Sequence, residues 1–463
     1  MADDARTELS RDLGLFTITM VGVGAMIGAG IFVLTGIAAG TAGPGLILAF
    51  AANGVVTLLT ALAYAELGSA IPEAGGGYLW VKEGLPGPNA FLSGWMSWFA
   101  HAVAGSLYAL GFGSYFGLVM QEFGWTLFGA SGDALAKPFA VLIALVFVAI
   151  NFRGVSETGL AGNIITVTKV LIIGLFIVSG LWAAFHEPGA WDRFTPLTPN
   201  GLGGVLSAMG LTYIAFEGYE IIVQAGEEVR DPKRNIPRAV FWSLAIVIPI
   251  YILVAVAALA AIHTGSSEPA WVWLGKHKEL GLAEAARQFM PLGTTLLLIG
   301  GSLSTMSALN ATTFSSTRVS FAMGRDRNLP DFFGKVHGST RTPYLALMAS
   351  GALIIFMAVA IPIQDVAAAA DVMFLLLFLQ VNIAIITIRR RYGDKLDYGF
   401  LIPFFPVLPI IAIVLMLGIA MFMFRFSQLA WYFVAGWIGT GFVIYYAWAR
   451  KREREKTVTP VVL

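Results

Sequence analysis

The sequence predicts an all-α polytopic membrane protein. Hydrophobic residues fill 57% of its 463 positions and charged residues only 12%, whereas a soluble domain usually carries about 25% charge. Apolar windows of about 20 residues, enough for a helix to cross the hydrocarbon core, recur along the whole chain.

Twelve spans are predicted, near 15–41, 44–70, 89–120, 138–152, 160–185, 201–226, 237–263, 290–323, 343–361, 366–389, 402–424 and 429–450. A polar opening with Arg6 and Arg11 precedes the first. No cleavable leader is expected there, and the first span directs insertion. The fourth span is short, and Pro291 sits at the start of the eighth. Lys and Arg then set the orientation. With the N-terminus in the cytoplasm, cytoplasmic loops and tails hold 21 of the 29 basic residues, the outside holds six, and Lys169 and Arg318 lie in the membrane. This positive-inside asymmetry places both termini in the cytoplasm of a multi-pass plasma-membrane protein.

Two spans carry anomalies. In the first, Gly22-Val23-Gly24-Ala25-Met26-Ile27-Gly28-Ala29-Gly30 puts four glycines mid-membrane, each costing roughly 1 kcal/mol relative to Ala in a helix interior. Small-residue helix packing explains Gly24-xxx-Gly28 equally well when that span is taken alone. The sixth span contains Phe216-Glu217-Gly218-Tyr219-Glu220, two acids flanking a glycine near its middle. A mid-bilayer carboxylate costs roughly 3 kcal/mol unless it faces a cavity or a partner. Spans one and six are corresponding positions if spans 1–5 and 6–10 are repeats. An odd number of spans per repeat inverts the second, and paired interrupted helices in inverted repeats point to a midplane binding site. Amides opening the second half of span one suit a carboxylate, and carbonyls freed around Phe216 and Glu217 suit an ammonium group. An α-amino acid carries both.

Other chemistry is thin. The chain has no cysteine, so no disulfide framework, thiol nucleophile or Cys-ligated metal is expected. Neither a catalytic metal cluster nor a nucleophile elbow is present in the sequence, so no enzyme, metal site or cofactor is predicted. A net charge of +1 points to no nucleic-acid partner. His101 is expected to be a satisfied buried histidine, and either Ser106 or Tyr108 to enter a side-chain pocket. Gly75-Gly76-Gly77 reads as a tight or re-entrant turn. Arg318 is placed to pair with Glu227 or Glu228.

Several ordered motifs resemble the amino acid–polyamine–organocation superfamily of permeases, most of all prokaryotic relatives of the cationic amino acid transporters. They are Gly24 to Phe32; Tyr64-Ala65-Glu66-Leu67-Gly68 with Pro72 to Tyr78; Asn151 to Val155; Phe216 to Glu220 with Glu227 to Pro232; and Ser316-Thr317-Arg318 through Pro330. The resemblance implies a LeuT-type 5+5 inverted repeat with discontinuous helices 1 and 6. It divides the chain into a cytoplasmic segment 1–14, a first repeat 15–185, an inverted repeat 201–389, two additional helices 402–450 and a cytoplasmic tail 451–463. It implies a carboxylate site on the backbone of Ile27, Gly28, Ala29, Gly30 and Ile31, and an amino-group site at Phe216, Glu217 and Gly218. Glu217 departs from the small or aromatic residue many relatives have. It binds a cationic side chain, pairs with a helix dipole or lines the cytoplasmic path.

Lys169 lies inside span five. Proton-coupled members of the family have a lysine at the matching position, where sodium-coupled relatives bind their ion. Lys169 is therefore the expected proton-coupling group, with occlusion shifting the balance between its charged and neutral forms; snorkelling to an interface is the plainer reading. The hydroxyl-rich eighth span is expected to bond Lys169, water or its own helix. The function implied is secondary amino-acid transport by alternating access with protons as coupling ion. Sodium-independent exchange and transport of polyamine or other cationic substrates are the alternatives. The substrate, the stoichiometry and the oligomeric state are not legible.

Overall fold

Apolar windows of this length can satisfy their backbone in lipid only by coiling, and every regular element of the computed structural model is helical. It describes residues 11–73, 76–85, 87–127, 129–130, 132–153, 159–265 and 268–452; Arg6, Ala74, Gly75, Gly154, Val155 and the tail beyond Arg452 lie outside them. The helices are α1 (Leu15–Met26), α2 (Ala29–Ala42), α3 (Leu46–Ala70), α4 (Gly76–Gly84), α5 (Pro88–Glu122), α6 (Ala136–Phe152), α7 (Gly159–His186), α8 (Gly201–Thr212), α9 (Tyr219–Gln224), α10 (Pro232–Ala261), α11 (Ala270–His277), α12 (Gly281–Phe289), α13 (Gly293–Arg325), α14 (Tyr344–Ala360), α15 (Ile363–Tyr392), α16 (Val407–Phe426) and α17 (Gln428–Ile444). Eight stretches are long and apolar enough to cross a membrane, and α6 and α14 are apolar but shorter. The chain is thus a multi-pass helical membrane protein. The first stretch, Leu15–Ala70, holds α1, α2 and α3.

Both anomalous spans are interrupted. α1 stops at Met26, and Gly28 is extended (φ −99°, ψ −153°) before α2 begins. α8 tightens into a 3₁₀ turn over Tyr213–Phe216, Glu217 is extended, and Gly218 has φ +138° before α9 begins. L side chains rarely adopt that backbone, so this position calls for glycine.

α5 and α13 form the most extensive helix pair and α3 lies along α10, while α7 packs on both α1 and α10. Two short helices that the hydropathy reading left inside a loop, α11 and α12, cover one side of α2. Glycine makes this approach possible: a Cβ at Gly36 would lie 2.2 Å from the Lys278 carbonyl oxygen, and one at Gly40 2.7 Å from Gly275 Cα. Of the expected turn at Gly75–Gly77, Gly76 (φ +43°) and Gly77 open α4, and Gly75 lies outside the described residues. Gly77 lets the backbone approach the Tyr64 hydroxyl, which a Cβ there would meet at 2.9 Å. α17 docks on α5 through stacked Trp95 and Trp437 rings 4.4 Å apart, each indole N–H donating to the other's carbonyl. These tryptophans pack helices together, whereas Leu171, Val178, Met421 and Val443 make up part of the exposed apolar surface.

Where α1 begins and α9 has ended, Leu13 bridges Val229 through the Leu13 N–H to the Glu228 carbonyl and the Arg230 N–H to the Leu13 carbonyl. Nearby, the buried Glu66 carboxylate accepts the Ile402 N–H at 2.6 Å and faces Arg389 at 3.4 Å. This ties the segment between α15 and α16 to the end of α3.

Candidate functional site

The two breaks lie against each other. A Cβ at Gly30 would sit 2.5 Å from both Ala215 Cα and Ala215 Cβ, and one at Gly218 would sit 2.6 Å from the Met26 nitrogen. The glycine run therefore divides its work. Gly24 makes room for Thr166 of α7, whose Oγ1 a Cβ would meet at 2.2 Å, so packing explains that position. Gly28 forms the break and Gly30 admits the partner break. Ile27, Gly28, Ala29, Gly30, Ile31, Phe216, Glu217 and Gly218 are thereby brought together, and all are buried.

Ending α1 leaves carbonyls without helical partners, and side chains from three other helices meet them. Lys169 Nζ donates to the Gly24 carbonyl at 2.8 Å from α7, and Ser304 Oγ to the Ile27 carbonyl at 2.6 Å from α13. The Tyr251 hydroxyl on α10 lies 2.6 Å from the Met26 carbonyl and 2.7 Å from the Ala215 carbonyl. One hydroxyl has one proton, so it donates to only one of them at a time. Tyr251 thus fastens the two breaks together, and Tyr251→Phe is expected to destabilise the protein by about 1–3 kcal/mol by leaving a buried acceptor unpaired. A lowered unfolding temperature in detergent checks this.

The other side of the first break is open in hydrogen-bonding terms. Among the described residues, no side chain caps the start of α2 and no acid lies in its first turn. Its leading amides, at Ala29, Gly30 and Ile31, face the junction with the helix dipole behind them. Helix ends of this kind offer N–H donors and a positive dipole to an anionic group.

The acids of the sixth segment part ways. Glu220 reaches back to accept the Gly218 N–H at 2.7 Å, capping α9. Asp371 of α15 accepts the Ile214 N–H with Oδ1 and so holds the tight turn. Among the described residues, Glu217 Oε1 is buried without a hydrogen-bond partner. It lines a small cavity of about 20 Å³ with Ala25, Tyr108, Ala308, Phe374 and His101, room for about one water. Tyr108, not Ser106, enters the cavity; Ser106 bonds the Ala102 and Ile354 carbonyls. The Phe216 ring packs with Tyr251 and Phe50, so its backbone is what faces the opposite break.

Three features escaped the sequence reading. Tyr251 is one aromatic in an apolar span and carries no local signal. His101 differs from expectation, because Nδ1 meets the Ser97 carbonyl at 2.7 Å while buried Nε2 has no partner among the described residues. Hydroxyls of α13 back-bond their own helix at Thr305, Thr312, Thr317 and Ser320, whereas Ser315 reaches Gln224, Ser316 the Trp98 carbonyl, and Ser304 serves the first break. Arg318 lies with its guanidinium 4.5 Å over the Phe314 ring.

A multi-pass bundle that buries two opposed helix breaks is built as a membrane transporter. The sequence matches the model of the family described as Amino acid permease over residues 13–448, and the chain belongs to that family. It is 31% identical to the branched-chain amino acid permease BcaP of Bacillus subtilis (strain 168), over 98% of this chain and 96% of that one. It is equally 31% identical to the methylthioribose transporter of the same organism, with the same coverage of both chains. The vacuolar cationic amino acid transporter 2 of Arabidopsis thaliana is 28% identical over 84% of this chain and 61% of its own length. Membership makes the protein a transporter of the amino acid permease class and not an enzyme.

Proposed function

We propose that the chain is a secondary active transporter that binds an amino acid between its two helix breaks and carries it across the plasma membrane by alternating access, driven by protons. The observation that carries this reading is the junction itself: uncapped amides of α2 on one side, backbone of Phe216, Glu217 and Gly218 on the other, joined at Gly30 and Gly218. An α-amino acid has its carboxylate and ammonium group one carbon apart, which matches a junction of this kind. A substrate with amines alone would leave the α2 amides unmet, which disfavours a polyamine.

The architecture we infer is a 5+5 inverted repeat, 15–185 and 201–389, with 402–450 added. Twelve crossings follow when Leu15–Ala70 counts as two passes and α6, α14 and the polar α13 are included with the other apolar stretches. The asymmetry of the basic residues supports putting both termini in the cytoplasm. Lys169 is the proposed coupling group. Its side chain is fully buried and its ammonium holds the carbonyl of Gly24 just before the break, so loss or gain of its proton acts directly on α1.

Uptake of radiolabelled amino acids into proteoliposomes, with sodium absent and with or without an inward proton gradient, tests the reading. Accumulation of at least one amino acid that collapses with the gradient is expected. Dependence on sodium would overturn the coupling, homoexchange without accumulation would support the exchanger, and failure to move any amino acid would overturn the function.

A further inference from the structure

Away from the junction, the bundle carries a larger recess. α14 and α17 both pack on α5 and leave between them a groove of about 270 Å³, whose lining includes Phe99, Phe356, Met357, Tyr432, Gly436 and Trp437. The Phe99 and Trp437 rings, 4.7 Å apart, form its floor. Phe356 and Tyr432 form exposed rims, 56% and 64% accessible. Gly436 gives the groove its depth, because a Cβ there would meet nothing within 4 Å. The Thr440 hydroxyl is spent on its own helix, at the Gly436 carbonyl 2.8 Å away. The lining therefore asks for an apolar guest.

Two cations stand at one end of this groove. Lys137 of α6 donates Nζ to the Val359 carbonyl at 2.9 Å, about 4.5 Å along α14 from Phe356. Arg425 lies in the last turn of α16, just before Ser427 caps α17. The Ser427 hydroxyl donates to Asp365 Oδ1 at 2.6 Å, in the first turn of α15 and just beyond the end of α14. Both cations thus reach the same membrane surface. Both are exposed, and Lys137 Nζ keeps two hydrogens beyond the one it gives to Val359.

We propose that the groove is a phospholipid site, with one acyl chain against Gly436 and the phosphate at Lys137 and Arg425. Apolarity alone selects nothing in a bilayer, because lipid tails are as apolar as the groove. The combination selects: a recess that one chain fills by close packing, ending at two cations that a phosphate satisfies. A second copy of the chain would present a helix roughly 10 Å across, too broad to reach the floor of this recess. The bound lipid then fills the space between α14 and α17.

Native mass spectrometry of the purified full chain in detergent, titrated with phosphatidylglycerol, tests this. The wild type is expected to hold one phosphatidylglycerol about tenfold or more tightly than a diacylglycerol with the same chains, which lacks the phosphate. Gly436→Leu, which fills the groove, and the double variant Lys137→Gln with Arg425→Gln are each expected to weaken that binding about tenfold or more. Gly439→Leu is the control on the same helix: a Cβ there also meets nothing within 4 Å, but Gly439 does not line the groove. Its binding is expected to match the wild type. A single symmetric gel-filtration peak establishes that each variant folds. Unchanged binding in folded Gly436→Leu or in the folded double variant, equal binding of the two lipids, or equal loss in Gly439→Leu overturns the site. A lipid-independent dimer that Gly436→Leu dissociates would give the groove to a second copy and overturn it too.

Discussion

Gly218→Ala is expected to abolish transport while leaving a membrane-inserted protein. Two effects act at once. The backbone at Gly218 has φ +138°, a region costly for any L side chain. The new Cβ would also lie 2.6 Å from the Met26 nitrogen and 2.7 Å from Ala25 Cβ. The first is backbone, which cannot rotate aside as a long side chain can, so one break must move off the other. Misplacement of binding groups by about 1 Å is worth on the order of 100-fold in a positioned site, and uptake is expected to fall by at least that much. Initial rates normalised to reconstituted protein check it. Near-normal uptake by Gly218→Ala would mean that the contact between breaks has no part in binding.

Lys169→Ala is expected to uncouple the protein. One pH unit is worth about 1.4 kcal/mol per proton, so one-to-one coupling sustains about a tenfold substrate gradient per unit. Without the ammonium that gradient is expected to disappear. Counterflow, which needs no net proton movement, is the informative comparison, because the variant also leaves the Gly24 carbonyl without the Lys169 donor, at about 1–3 kcal/mol. Gradient-driven accumulation in Lys169→Ala equal to wild type would rule the residue out as the coupling group. Loss of both activities together would mark it as a structural prop of α1.

Hydropathy locates the membrane helices well, because the bilayer imposes length and apolarity on each one separately. The expected span 89–120 is α5, Pro88–Glu122, and 343–361 is α14, Tyr344–Ala360. The breaks were also legible, since glycine in the middle of a span is costly and therefore informative. Features that depend on long-range contact were not. α11 and α12 are short and include polar residues, and their packing on α2 at Gly36 and Gly40, with α12 also against α13, makes them part of the bundle. Gly76 and Gly77 look like a turn in isolation but open α4, where Gly77 lies against the Tyr64 hydroxyl of a distant helix. Within the site, composition exposes Glu217 and Glu220 as a pair, but the N–H of Gly218 separates a capping acid from an unmet one. Tyr251 and the unpartnered nitrogen of His101 depend on residues far away in sequence and leave no local pattern.

The most direct test of the paired-break site is competition by substrate fragments. For the amino acid that the protein transports best, uptake is measured against the intact compound, its decarboxylated amine and its deaminated acid. If the α2 amides read the carboxylate and the opposite break reads the ammonium group, each fragment loses one charged contact. At about 1.5–3 kcal/mol for such a hydrogen bond, each should compete roughly 10- to 100-fold more weakly than the whole amino acid. Equal competition by either fragment would contradict the account.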